Sequence, residues 1–191
     1  MSVQIMIQGT PNPNALKFVL DKPVKTRGNV TYRGKDSAEG NPLAQAVFEV
    51  SPHVKEVYFF DNYITVTQDG EEDWDELEDR IKKTIQERFA DHDPDFSVGT
   101  PQAEAVGKTA GNAEIDKIET VLDQTIRPAL QMDGGDVRVV RYEQNTVEIF
   151  YQGACGSCPS ATMGTLYAIE NILREQIHPD IRVVLADPVD M

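Results

Sequence analysis

The sequence predicts an α+β chain made of two small α+β domains joined by a flexible linker, and three observations carry that expectation. Runs rich in β-branched and aromatic residues, broken by turn residues, stand beside helical apolar stripes twice along the chain. Between these two regions, over residues 92–112, the apolar period dissolves into Asp, Pro, Gly, Ala, Thr and Glu. With 191 residues, 40% of them apolar, the chain is long enough for one medium core or two small ones. The expected division is a first domain over 1–91, a linker over 92–112 and a second domain over 113–191.

In the first domain, Val3 to Ile7 and Ala15 to Leu20 read as strands. Between them, Thr10-Pro11-Asn12-Pro13-Asn14 forbids helix and favours a fixed turn, because proline lacks a backbone donor and asparagine bonds its own backbone. A docking surface is the alternative reading of that segment. Asn41 followed by Pro42 supplies a helix cap and a first-turn proline, with Leu43, Ala46, Val47 and Val50 on one face. Val54 to Phe60 and Tyr63 to Thr67 form a hairpin across Asp61-Asn62, residues that tolerate positive φ. Tyr58, Phe59 and Phe60 cannot all face inward on a strand, so helix packing or partner binding is expected of part of that run. Asp73 with Glu76 resembles a capping box, and Trp74, Leu77, Ile81, Ile85 and Phe89 make the stripe of a second helix.

The second domain reads as helix, strand, strand, Cys-x-x-Cys loop, helix, strand. Ile115, Ile118, Leu122 and Ile126 mark a helix that Pro128 kinks or ends. Asp133-Gly134-Gly135-Asp136 is a turn in the simplest reading, with approach to a bound cluster or to a client surface as the alternative. Val137 to Tyr142 and Thr146 to Tyr151 pair across Glu143 to Asn145, and Val147, Ile149 and Tyr151 share a face. Leu166, Ile169, Leu173 and Ile177 line a helix, and Ile181 to Leu185 is a last strand.

A formal net charge of -14 leaves no basic surface for counterion release, so nucleic acid and anionic membranes are not expected as partners. No run approaches the roughly 20 apolar residues of a spanning helix, and Met1 to Gln8 lacks the make-up of a secretory signal. The expected location is the cytoplasm. No nucleophile and base pair, phosphate loop or carboxylate pair stands out, so carriage or binding is expected rather than catalysis.

The two cysteines, Cys155 and Cys158, are the sharpest chemical feature. A disulfide between them would close too small a ring to staple a fold, which leaves four readings. They are small core residues, a thioredoxin-like redox pair, half of a zinc site, or ligands of an iron-sulfur cluster. Pro159 argues against the redox pair, because it pushes Cys158 out of helical geometry and starts the helix after the motif. His53, His92, His178 and carboxylates are the other candidates for a zinc site; the first two histidines lie outside this domain, and His178 is isolated at the far end of the following helix. A cluster usually takes four thiolates, and one chain supplies two, so a symmetric dimer sharing the cluster would complete it.

Motifs in both halves resemble one family. Ile126-Arg127-Pro128, Asp133-Gly134-Gly135-Asp136-Val137 and Gly153-Ala154-Cys155-Gly156-Ser157-Cys158-Pro159-Ser160 resemble the NifU-like C-terminal domain of the Nfu iron-sulfur carriers. Thr10-Pro11-Asn12-Pro13-Asn14-Ala15-Leu16-Lys17-Phe18 resembles the Nfu N-terminal domain. The resemblance implies a carrier, not an enzyme, that takes a [4Fe-4S] cluster from an upstream scaffold and passes it to apo-proteins. It implies Cys155 and Cys158 as the cluster ligands, with a second copy of the chain as partner across the cluster. It leaves open whether a [2Fe-2S] form is also bound, and suggests client or partner interaction for the N-terminal domain. The alternatives from other classes are a thioredoxin-like dithiol oxidoreductase and a zinc-bridged adaptor.

Overall fold

The computed structural model describes residues 3–97, 113–156 and 161–186, with residues 161–163 as backbone only. The chain forms two compact units, Met1–Val98 and Gly99–Met191, and both are α+β.

In the first unit the strands are β1 (Ile5–Gly9), β2 (Ala15–Leu20), β3 (Lys25–Arg33), β4 (Val54–Asp61) and β5 (Tyr63–Gln68). They form one antiparallel sheet in the order β1-β2-β5-β4-β3. Its register aligns Ile7, Phe18, Ile64, Phe59 and Val30 in a single row across all five strands. That row lies in a core with Leu43 and Val47 of α1 (Pro42–Val50) and Leu77, Ile81 and Ile85 of α2 (Trp74–Arg88). Strand alternation sends Tyr58 and Phe60 to the opposite face, where their rings stack at 6.5 Å, while Phe59 packs in the core.

The local signals act largely as expected. Asn41 Oδ1 accepts from the Ala44 N–H at 3.0 Å, the bond an N-cap supplies. Asp61 takes φ 44° in the β4–β5 turn. Asp73 accepts from the Asp75 N–H. In the Thr10–Asn14 turn, Thr10 Oγ1 donates to the Ala15 carbonyl and Asn12 Oδ1 accepts from the Asn14 N–H. Trp74 Nε1 donates to the Pro13 carbonyl at 2.9 Å, tying that turn to the start of α2.

Two features depart from expectation. β3 runs along the sheet edge, is polar and bulged over Lys25 to Asn29 with Gly28 at φ 66°, and alternates only at its end, where Val30 and Tyr32 enter the core. Residues 92–96, expected to open the linker, instead pack on the first unit. His92 Nε2 donates to the Val24 carbonyl at 2.7 Å, and its ring stands edge-on to Phe59 at 5.7 Å. Phe96 packs against the same core, and its carbonyl accepts from Lys25 Nζ. Two isolated aromatic anchors hold this segment without any apolar period. Residues 98–112 of the expected linker lie outside the described residues.

Burial lowers the pKa of His92 below its ordinary value, outweighing the bond to Val24. A depressed histidine pKa contributes stability above the unfolded value of about 6.5 that is lost as pH falls towards the folded value. The first domain is therefore expected to weaken between pH 7.5 and 5.5 more steeply than the His92→Phe variant, measured by denaturant unfolding. Equal slopes would remove His92 as the cause.

The second unit begins with α3 (Ala113–Thr125), and the chain breaks at Ile126 before α4 (Arg127–Met132), with Pro128 in its first turn. A three-stranded sheet follows in the order β6-β7-β8, from β6 (Gly135–Glu143), β7 (Thr146–Gly153) and β8 (Arg182–Leu185). β6 and β7 are antiparallel, while β7 and β8 are parallel through a crossover containing α5 (Ala161–Gln176). Gln144 and Asn145 both take positive φ, 48° and 61°, as a two-residue hairpin turn demands. Ile118 and Leu122 of α3, Val137 and Val139 of β6, Ile149 of β7, and Ile169 and Leu173 of α5 form its core. The Cys-x-x-Cys segment thus joins the end of a central strand to the helix packed on it.

Candidate metal centre

β7 ends at Gly153, whose φ of 61° turns the chain out of the strand. Ala154 N then donates to the Gly134 carbonyl at 3.1 Å, so the cysteine loop is bonded to the turn after α4. Gly134 itself takes φ 81° and donates its N–H to Gln131 O, the left-handed arrangement that closes a helix.

Gly135 sets the position of the first cysteine. A Cβ at this residue would stand 2.4 Å from Cys155 Sγ and 2.8 Å from the Gln152 carbonyl oxygen, so the sulfur occupies the space a side chain would need. Cys155 is 5% exposed and belongs to the domain core. The Asp133–Asp136 segment is therefore more than a turn: Gly134 closes α4, and Gly135 and Asp136 already belong to β6.

Asp136, 2% exposed, anchors this strand from within. Its Oδ1 lies 3.2 Å from Arg127 Nε, and its Oδ2 accepts from Gln131 Nε2 at 3.3 Å. Arg127 Nε and Nη2 also donate to the Val137 carbonyl at 3.0 and 2.9 Å, and the guanidinium pairs with Glu119 and Asp123. Burial works against the charge on Arg127, but Glu119, Asp123 and Asp136 outweigh it and raise its pKa. One guanidinium thus links α3, α4 and the strand that carries Gly135.

Gly135→Ala is accordingly expected to destabilise the second domain by about 1–3 kcal/mol, the usual range for overpacking. Denaturant unfolding of the full chain reads the effect, and an unchanged stability would refute the close approach.

Of the sequence-derived site residues, the structure places Cys155; Cys158, like Ser157, Pro159 and Ser160, lies outside the described residues. α5 begins at Ala161, after the motif. His53 is bonded to Asp69 and His92 to Val24 in the first unit, while His178 Nδ1 accepts from the Asp180 N–H beyond α5. Among the described residues, no group of three or more His, Cys, Asp or Glu side chains could hold a metal ion. No described helix is long and apolar enough to cross a membrane.

The structure thus offers one thiol, Cys155, seated at the end of the central strand β7 on a two-domain α+β chain. Two family models match the chain in order: scaffold protein Nfu/NifU N terminal over residues 5–92, and NifU-like domain over residues 118–184. The human NFU1 iron-sulfur cluster scaffold homolog, mitochondrial, is 38% identical over 181 residues, which cover 94% of this chain and 70% of the human protein. NifU-like protein 4, mitochondrial, from Arabidopsis thaliana is 33% identical over 179 residues, covering 91% of this chain and 62% of that one. A solved NifU-like protein from Saccharomyces cerevisiae superposes with a TM-score of 0.46 at 25% identity, covering 52% of this chain and 87% of that chain. The chain belongs to the Nfu/NifU-like family of iron-sulfur cluster scaffold proteins.

The chain spans 62% to 70% of the length of these two curated relatives. Both are named mitochondrial, which overturns the expected cytoplasmic location. That expectation rested on the make-up of Met1 to Gln8, which carries no information on location in a chain shorter than its relatives.

Proposed function

We propose that the chain carries a labile [4Fe-4S] cluster, held by Cys155 and Cys158 and bridged between two subunits, and transfers it to apo-proteins during iron-sulfur cluster assembly. The observation that carries this reading is the seating of Cys155 Sγ against Gly135. That seat fixes one sulfur of the Cys-x-x-Cys pair at the end of β7, in a chain whose relatives are named iron-sulfur cluster scaffolds. Thiolates are the usual ligands of such clusters, four to each, and one chain has two cysteines. A second copy completes the set by two-fold symmetry. The cluster is cargo, which this chain's thiolates hold and release.

The lability follows from the division of ligands. Each subunit grips half of the cluster, so an incoming thiol displaces it more readily than one caged by four cysteines of a single fold. The N-terminal domain, which contains no cysteine, supplies client or partner contacts. An upstream scaffold loads the carrier, and the role is carriage rather than catalysis.

The test is transfer. The full chain, reconstituted anaerobically with iron and sulfide, is mixed with an apo [4Fe-4S] enzyme in the presence of an iron chelator. Recovery of acceptor activity faster than from equal free iron and sulfide is expected. Recovery no faster than from the free ions would sink the proposal.

A further inference from the structure

Buried hydroxyls almost always find an acceptor, because one removed from water and left unbonded is destabilising. Tyr151 departs from that rule: it is 5% exposed, and its Oη has no hydrogen-bond partner among the described residues.

Its place in the sheet gives the departure a meaning. Tyr151 pairs with Val137 and Gly153 pairs with Gly135. Alternate residues share a face, so Tyr151 lies on the face to which the missing side chain of Gly135 would point. Cys155 Sγ fills that space. The sulfur and Tyr151 are therefore diagonal neighbours across the hairpin, a relation of about 7–8 Å between backbones that an aromatic side chain spans. Both belong to the same core.

We propose that Tyr151 is a hydrogen-bond donor held in reserve for the loaded state, its Oη–H donating to Cys155 Sγ once that sulfur is a metal-bound thiolate. This rests on the reading of Cys155 as a cluster ligand. A neutral thiol is a weak acceptor, whereas a thiolate is a strong one, so the bond forms with the cargo and is lost with it. Hydrogen bonds to ligand sulfur stabilise the more negative, reduced cluster and raise its reduction potential.

Tyr151→Phe removes the hydroxyl and keeps the ring, and the two states should then respond with opposite sign. Without cluster, the full-length variant is expected to hold its second domain at least as firmly as wild type, read from hydrogen exchange of the β6 and β7 amides. With cluster, its reduction potential should shift to more negative values, and about tenfold less chelator should strip half the iron, the scale of one charge-assisted hydrogen bond. A variant that weakens the cluster-free domain and leaves the potential unchanged would show a hydroxyl satisfied within the protein, and would overturn the proposal. Failure of wild type itself to assemble a cluster would instead strike the ligand reading, and the role of Tyr151 with it.

Discussion

Anaerobic reconstitution of the Cys155→Ala chain with iron and sulfide is expected to yield protein without the broad visible absorbance of a thiolate-bound cluster, and Cys158→Ser should behave alike. Removing one cysteine from each of two chains takes two of four ligands, and no described cluster of side chains stands ready to replace them. Alanine is the better probe at position 155, where the sulfur lies in the core with Val137, Ile149 and Tyr151. A serine hydroxyl buried there would add its own penalty. Truncation to alanine leaves a small void, a loss of about 1 kcal/mol, so the second domain should remain folded. Iron analysis, absorbance and far-ultraviolet dichroism of the same samples separate loss of ligand from loss of fold. Full iron uptake by either variant would remove that cysteine from the ligand set.

The largest effect on stability is expected from Arg127→Met. The guanidinium side chain is 15% exposed and faces the 3% exposed carboxylate of Asp136. Breaking a buried pair from one side leaves an uncompensated charge, a loss of about 3–5 kcal/mol. Two donations to the Val137 carbonyl go with it. Asp123, 61% exposed, contributes little by comparison. The contrast is Lys83 with Glu87 on α2, both well exposed, where Lys83→Ala should cost no more than about 0.5 kcal/mol. Denaturant unfolding of the full chain should show the second domain melting early while the first is unmoved. A loss below about 1 kcal/mol would mean that the network does not hold the hairpin.

Much of this architecture is legible in the sequence because it rests on local signals. The stripes of α1, α2, α3 and α5, the asparagine cap at Asn41 and the Asp61 and Asn145 turns each act within a few residues of themselves. β3 is not legible, because an edge strand that is bulged and polar over its first half leaves only Val30 and Tyr32 to signal it. The docking of His92 and Phe96 is equally hidden, since each is a single aromatic whose partners lie far away in sequence.

The same division runs through the candidate site. Cys155 and Cys158 stand out by type and spacing, but the role of Gly135 depends on a sulfur twenty positions on that only the fold brings to it. Two adjacent glycines suggested a turn, and a close approach is the other reason for a strand to end in glycine. Tyr151 is legible as an inward-facing residue of an alternating strand; that its hydroxyl meets no acceptor is visible only when every neighbour is placed.

In the proposed carrier one chain is half of a binding site, and native mass spectrometry of the reconstituted full chain distinguishes a shared cluster from an unshared one. Cluster and dimer are expected to occur together, with about four irons for each pair of chains, and chelation should return the cluster-bound dimer to chains without iron. A cluster of that size riding on a single chain would contradict it.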